Sequence, residues 1–117
     1  MEKIHCLCVM RDLFSALNEL ETNLTNNYGV SLNEAMVLCC IGEEKLMAST
    51  IAHNIGLLPP HTSKTLRSVE KKGLVRRSLG TQDKRQMYFR LTNEGKELLL
   101  RLRENGVEVP EMLQPFF

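Results

Sequence analysis

Residues 79–91 read L-G-T-Q-D-K-R-Q-M-Y-F-R-L. On one side, L-V-R-R-S-L over residues 74–79 reads as a strand, and on the other so does Q-M-Y-F-R-L-T over residues 86–92. The stretch is therefore a two-stranded ribbon that turns at residues 80–86. A plain hairpin turn needs only a glycine and a polar neighbour. Gly80 meets that need by giving the tip backbone freedom. The cluster Asp83-Lys84-Arg85 goes beyond it, so the tip is expected to do more than reverse the chain.

Working outward, the segment before the ribbon is L-L-P-P-H-T-S-K-T-L-R-S-V-E-K-K-G. Its two prolines suit the first turn of a helix, where the missing amides cost nothing. The spacing predicts a helix over 60–72 with Thr62, Leu66 and Val69 facing inward, Thr65 beside them, and Gly73 as the stop. A short helix over 51–55, capped by Ser49-Thr50, precedes it and ends at Gly56. Ser31-Leu32-Asn33-Glu34 forms a capping box that opens an apolar helix ending at Gly42. Met10, Leu13, Phe14, Leu17, Leu20 and Leu24 mark a first amphipathic helix over 10–25, beginning as early as Ile4. Beyond the ribbon, Thr92-Asn93-Glu94-Gly95 starts a helix over 93–105 with the stripe Leu98, Leu99 and Leu102. The tail, with two prolines, reads as irregular. Two helices joined tightly at Gly56 and followed by a ribbon describe a winged helix-turn-helix, mainly α with a small β wing.

Charge is distributed unevenly. The net charge is +1, yet residues 61–90 hold nine Lys or Arg against Glu70 and Asp83, and the rest of the chain holds twelve acids against six bases. A basic third between acidic flanks is a footprint of polyanion binding; the plain alternative is a solvated charged face. The helix over 60–72 carries His61, Lys64, Arg67, Ser68 and Lys71 on its outward side, a width and chemistry that suit a DNA major groove. His61, Ser63, Lys64 and Arg67, nearest the helix start, are expected to enter deepest. Lys84 and Arg85 at the ribbon tip suit the narrow, negative minor groove. Asp83 is expected to accept hydrogen bonds from Arg85 and fix its angle.

These motifs resemble the MarR family of bacterial transcriptional regulators. The resemblance rests on Gly73-Leu74-Val75-Arg76-Arg77, Asp83-Lys84-Arg85 and Leu91-Thr92-x-x-Gly95, in that order, and covers roughly residues 10–105. It implies a homodimeric, cytoplasmic DNA-binding regulator, typically a repressor, on pseudo-palindromic double-stranded operators. The helix over 60–72 would lie in the major groove and the wing over 80–86 in the minor groove. It divides the chain into a DNA-binding lobe over 31–92 and dimerisation segments over 1–28 and 93–117. It also implies a pocket for a small-molecule effector between the lobes. Family members usually add a further helix after the one that follows the wing. Here the tail residues Val107, Val109, Met112, Leu113, Phe116 and Phe117 would share dimerisation with the first and last helices.

Other chemistry finds less support. No apolar run is long enough to cross a membrane, and the first ten residues lack the apolar stretch of a signal peptide. No phosphate-binding glycine loop, nucleophile elbow or metalloprotease motif is present, so neither an enzyme nor a cofactor is expected. Cys6, Cys8, Cys39 and Cys40 lack the paired C-x-x-C spacing of a zinc site, though His5 could complete a cluster. Reduced cysteines in a core are the plain expectation, with Cys6 and Cys8 the candidates for a thiol-based redox sensor. A winged helix that binds an acidic protein instead of DNA is the remaining alternative.

Overall fold

A computed structural model of the protein describes residues 6–117. The expected start of the first helix near Ile4, and any cluster with His5, lie outside those residues. In chain order the elements are α1 (Leu7–Tyr28), α2 (Leu32–Ile41), β1 (Leu46–Met47), α3 (Ala48–Ile55), α4 (Pro59–Lys71), β2 (Val75–Leu79), β3 (Met87–Leu91) and α5 (Asn93–Asn105). A 3₁₀ helix follows over Glu111–Phe116. Among the described residues no helix is long and apolar enough to cross a membrane.

Local signals account for most of the boundaries. Ser31 caps α2 as expected: its hydroxyl accepts from the Glu34 amide, and the Glu34 carboxylate accepts from the Ser31 amide. Thr92 caps α5 through the Gly95 amide, and Pro59 and Pro60 occupy the first turn of α4. Gly56 ends α3 with φ +73°, the left-handed conformation that lets α4 turn away at once. The expected Ser49-Thr50 cap is not made; α3 begins earlier, at Ala48, with Met47 as its uncapped start.

β1, β3 and β2 form an antiparallel sheet in that order, with Val75 opposite Leu91, Arg77 opposite Phe89 and Leu79 opposite Met87. Leu46 and Met47 add the third strand by pairing with Phe89 and Tyr88. The sequence reading has no β1, because two residues carry no alternation.

The main core joins Val37, Leu38 and Ile41 of α2 with Ile51 of α3, Leu66 and Val69 of α4, Val75, Phe89 and Leu91 of the sheet, and Leu98 and Leu99 of α5. Thr62 and Thr65 are buried beside Leu66, and each donates its hydroxyl to the carbonyl four residues back, so neither polar group is stranded. A second core packs Ala16, Leu20 and Leu24 of α1 against Leu113. The tail is thus not irregular throughout: its 3₁₀ turn seats Leu113 on α1. Tyr28 also donates its hydroxyl to the Gly106 carbonyl, holding the start of the tail to the end of α1.

Candidate nucleic-acid interface

The outward face of α4 presents His61, Ser63, Lys64, Arg67 and Lys71 to solvent. Its inward face is fixed by Thr62, Thr65, Leu66 and Val69 in the core. Among the described residues no acid pairs with Lys64, Arg67 or Lys71. The face therefore offers three uncompensated cations, with a histidine and a serine ahead of them at the helix start.

Ser68 is placed differently. It is half-buried, and its hydroxyl donates to Oε2 of Glu34 at 2.7 Å. Glu34 is only 4% exposed and collects more than its cap. Lys72 Nζ lies 2.8 Å from its Oε1, and the same ammonium donates to the Gly29 carbonyl at the end of α1. Burial raises the Glu34 pKa, but the Lys72, Ser31 and Ser68 hydrogen bonds outweigh it and hold the carboxyl below its usual range. One buried carboxylate thereby locks α4 against α2 and the end of α1. The sequence shows Glu34 only as a capping residue, and nothing local signals partners 34 and 38 residues away.

The wing tip is closed by two backbone hydrogen bonds, Gly80 to the Gln86 carbonyl and Gln86 to the Asp83 carbonyl. Gly80 is needed here for space and not for an unusual φ: a Cβ would come within 2.5 Å of the Asp83 carbonyl oxygen. Asp83 accepts from the Arg85 amide at 2.9 Å and from Nε and Nη2 of its guanidinium at 3.2 and 3.3 Å. The Arg85 side chain and amide hold the Asp83 carboxyl below its ordinary pKa. The Arg85 side chain is almost fully exposed, at 92%, and projects from the tip with its guanidinium bonded to Asp83. Lys84 is exposed beside it.

Two other bases serve the fold itself. Arg77 grips Glu70 of α4 through two hydrogen bonds of 2.6 and 2.7 Å and lies over the Phe89 ring, 5.6 Å from its centre. Lys45 lies 5.0 Å over the Tyr88 ring. Arg76 and Arg90 stand opposite each other across the ribbon.

Three cysteines depart from the core expectation. Cys6, Cys8 and Cys39 are exposed and Cys40 is half-buried. Cys6 sits at the start of α1 without a side-chain capping bond, and the nearby Val9 and Cys8 amides, with the Cys8 thiol, draw its pKa down. Among the described residues no group of three His, Cys, Asp or Glu side chains gathers where a metal could be held.

Known proteins carry the same architecture. The sequence model of the MarR family matches residues 30–87, the segment from the start of α2 to the end of the wing. The solved structure of the S. aureus MepR–DNA complex superimposes with a TM-score of 0.77 at 20% identity, over 89% of this chain and 77% of that one. The transcriptional regulator BldR from Sulfolobus solfataricus gives 0.75 at 24% identity, over 97% and 86%. AbsC, a MarR family transcriptional regulator from Streptomyces coelicolor, gives 0.73 at 20% identity, over 91% and 77%. No curated protein matches by sequence. The helix-turn-helix, the wing and its Asp83–Arg85 pair all lie within the matched segment, so over residues 30–87 the chain carries the sequence pattern of the MarR family.

Proposed function

We propose that this protein is a sequence-specific, double-stranded DNA-binding transcriptional regulator, acting as a homodimeric repressor on pseudo-palindromic operators. In this reading α4 enters the major groove, with His61, Ser63, Lys64 and Arg67 toward base edges and Lys71 toward phosphate. Lys84 and Arg85 of the wing reach the flanking minor groove. Ser68 contributes by bonding Glu34 and holding α4 in position. The observation that carries the reading is the uncompensated basic face of α4 beside a wing whose arginine is held outward by its own aspartate. The likeness to MepR, a protein captured on DNA, supports it.

The dimer is proposed from α1 and the tail. Leu7, Met10, Phe14 and Leu17 recur at helical spacing on α1 and are 74, 50, 68 and 41% exposed, with Phe116 and Phe117 also bare. An apolar stripe of this length asks for a partner. A second copy of the chain would cover it and set two α4 helices side by side.

The test is selection of fragmented genomic DNA on the purified protein, sequenced after washes at rising salt. A two-fold symmetric motif with half-sites about 10 base pairs apart is expected. Retention without any motif, lost at modest salt, would leave only nonspecific charge attraction and refute the reading.

A second reading, thiol control of the same binding, is favoured by exposed Cys6 with its lowered pKa. It predicts that peroxide weakens operator binding by wild type and not by Cys6→Ser; equal loss in both would remove it.

A further inference from the structure

We propose that the hollow at the base of the wing binds a small multivalent anion of the carboxylate or phosphate class. The hollow holds about 280 Å³ and lies between the turn after α2, the outer face of the ribbon and the first turn of α5. Glu43, Glu44, Arg76, Arg90, Asn93 and Lys96 bring its polar groups.

The central observation is the ribbon register. Arg76 and Arg90 are direct cross-strand partners, so both side chains leave the same face of the sheet. Like charges in that relation destabilise a ribbon unless something neutralises them. Lys72, Arg77 and Arg85 each have a carboxylate of this chain within ion-pair distance. Among the described residues Arg76 and Arg90 have none. The nearest acids do not supply one: Glu43 is engaged with Lys96 at 3.4 Å, and Glu44 makes no ion pair among the described residues. Two guanidiniums thus line a concave space, and neither pairs with a carboxylate among the described residues. Guanidinium groups bind carboxylate and phosphate oxygens in pairs of parallel hydrogen bonds, so one small anion can satisfy both arginines. The exposed Asn93 amide adds a donor at the rim.

The space suits a small ligand better than a nucleic-acid strand. Three register pairs separate Arg76–Arg90 from the wing tip, which is roughly 10 Å of strand. Glu43 and Glu44 at the rim would repel a chain of phosphates. They leave room for a compact anion drawn in against the sheet. Binding would remove the repulsion at the foot of the ribbon that carries Arg85, and this coupling to DNA rests on the function proposed above. The binding itself does not.

Inorganic phosphate and citrate are the probes, titrated into wild type and Arg76→Gln/Arg90→Gln at constant ionic strength with sodium chloride as the balance. Backbone amide chemical shifts and melting temperature are followed. Wild type should give saturable shifts at residues 42–44, 76, 90 and 93–96, with a rise in melting temperature. The double variant should lose the saturable response. Without added anion it should melt no lower than wild type, because its repulsion is gone. If that variant fails to fold, Glu44→Gln serves: removing a negative charge from the rim should tighten citrate binding roughly threefold. Shifts equal in wild type and variant, or scattered over other residues, would mean an adventitious ion only and would overturn the proposal. So would DNA affinity that changes in the double variant while neither free anion binds wild type.

Discussion

Two carboxylates, one buried and one exposed, hold the interface from opposite ends. Glu34 is ionised in a buried site, and its folded pKa is depressed. The stabilisation it gives is therefore fully present above its unfolded value of about 4.3 and is lost as pH falls through the folded value. Wild type should lose melting temperature as pH falls below the unfolded carboxyl value of about 4.3, and Glu34→Gln, which cannot titrate, should lose less over the same interval. Parallel acid curves for the two proteins would contradict this account. Glu34→Ala, which removes the cap and the bonds to Ser68 and Lys72, should cost about 2–3 kcal/mol in urea denaturation. In the proposed function Asp83 would act at the surface and chiefly on the aim of Arg85. Arg85→Ala should weaken operator binding about tenfold and abolish any preference for A·T-rich flanks. Asp83→Asn keeps the cation but frees its angle. It should reduce the flank preference with a smaller loss of affinity, read by fluorescence anisotropy on operators with A·T or G·C flanks. Equal flank preference in wild type and Asp83→Asn would show that the pair seen at the tip has no part in recognition.

At the scale of elements, Gly95 shows how a motif residue earns its place. A Cβ there would overlap the Leu74 carbonyl, which already accepts from the Thr92 amide where the ribbon meets α5. Gly95→Ala must push α5 from the sheet and should cost about 1–3 kcal/mol, measured as a lowered urea midpoint with an unchanged slope. The sequence makes α5 legible through Thr92 and the leucine stripe, but the reason for Gly95 lies in a contact with a residue 21 positions earlier. The same division runs through the rest of the chain. Stripes and caps are local, so α1, α2, α4, α5 and the ribbon can be read within a few residues of their true ends. β1 exists only because the edge of β3 is free to pair with it. The tail takes its 3₁₀ turn because α1 offers Ala16, Leu20 and Leu24 to Leu113, and its two prolines alone suggest no structure. In the candidate interface, the outward face of α4 follows from helical periodicity, whereas the diversion of Ser68 to Glu34 depends on a long-range pairing that periodicity cannot reveal. Within α4 the residues should separate by role. Lys64→Ala and Arg67→Ala should change base preference by ~1–3 kcal/mol at single positions, while Lys71→Ala should weaken all sequences alike and lower the salt slope by about one. An unchanged motif in both of the first two variants would remove α4 as the reader.

At the scale of the molecule, the question is what α1 is for. Its 22 residues span about 33 Å, and only the half carrying Ala16, Leu20 and Leu24 is packed within the chain. Leu7, Met10, Phe14 and Leu17 on its other face belong to neither core, and each exposes enough apolar surface to favour burial. A symmetric pairing through this face would tie two winged lobes together, so that binding one half-site holds the second lobe near the other at high effective concentration. Phe14→Glu tests the idea where the fold is least at risk, since Phe14 is 68% exposed and outside both cores. A charge at the centre of a paired apolar stripe is costly to bury. Sedimentation velocity should therefore find wild type as a dimer at micromolar concentration and Phe14→Glu as a monomer with the same melting midpoint for its own core. On a full palindrome the variant should lose about 100-fold or more in affinity, yet on an isolated half-site it should bind as wild type does, because only the coupling between lobes has gone. A variant that stays dimeric, or a wild type that sediments as a monomer, would move the pairing surface away from α1 and leave the bare stripe to another partner.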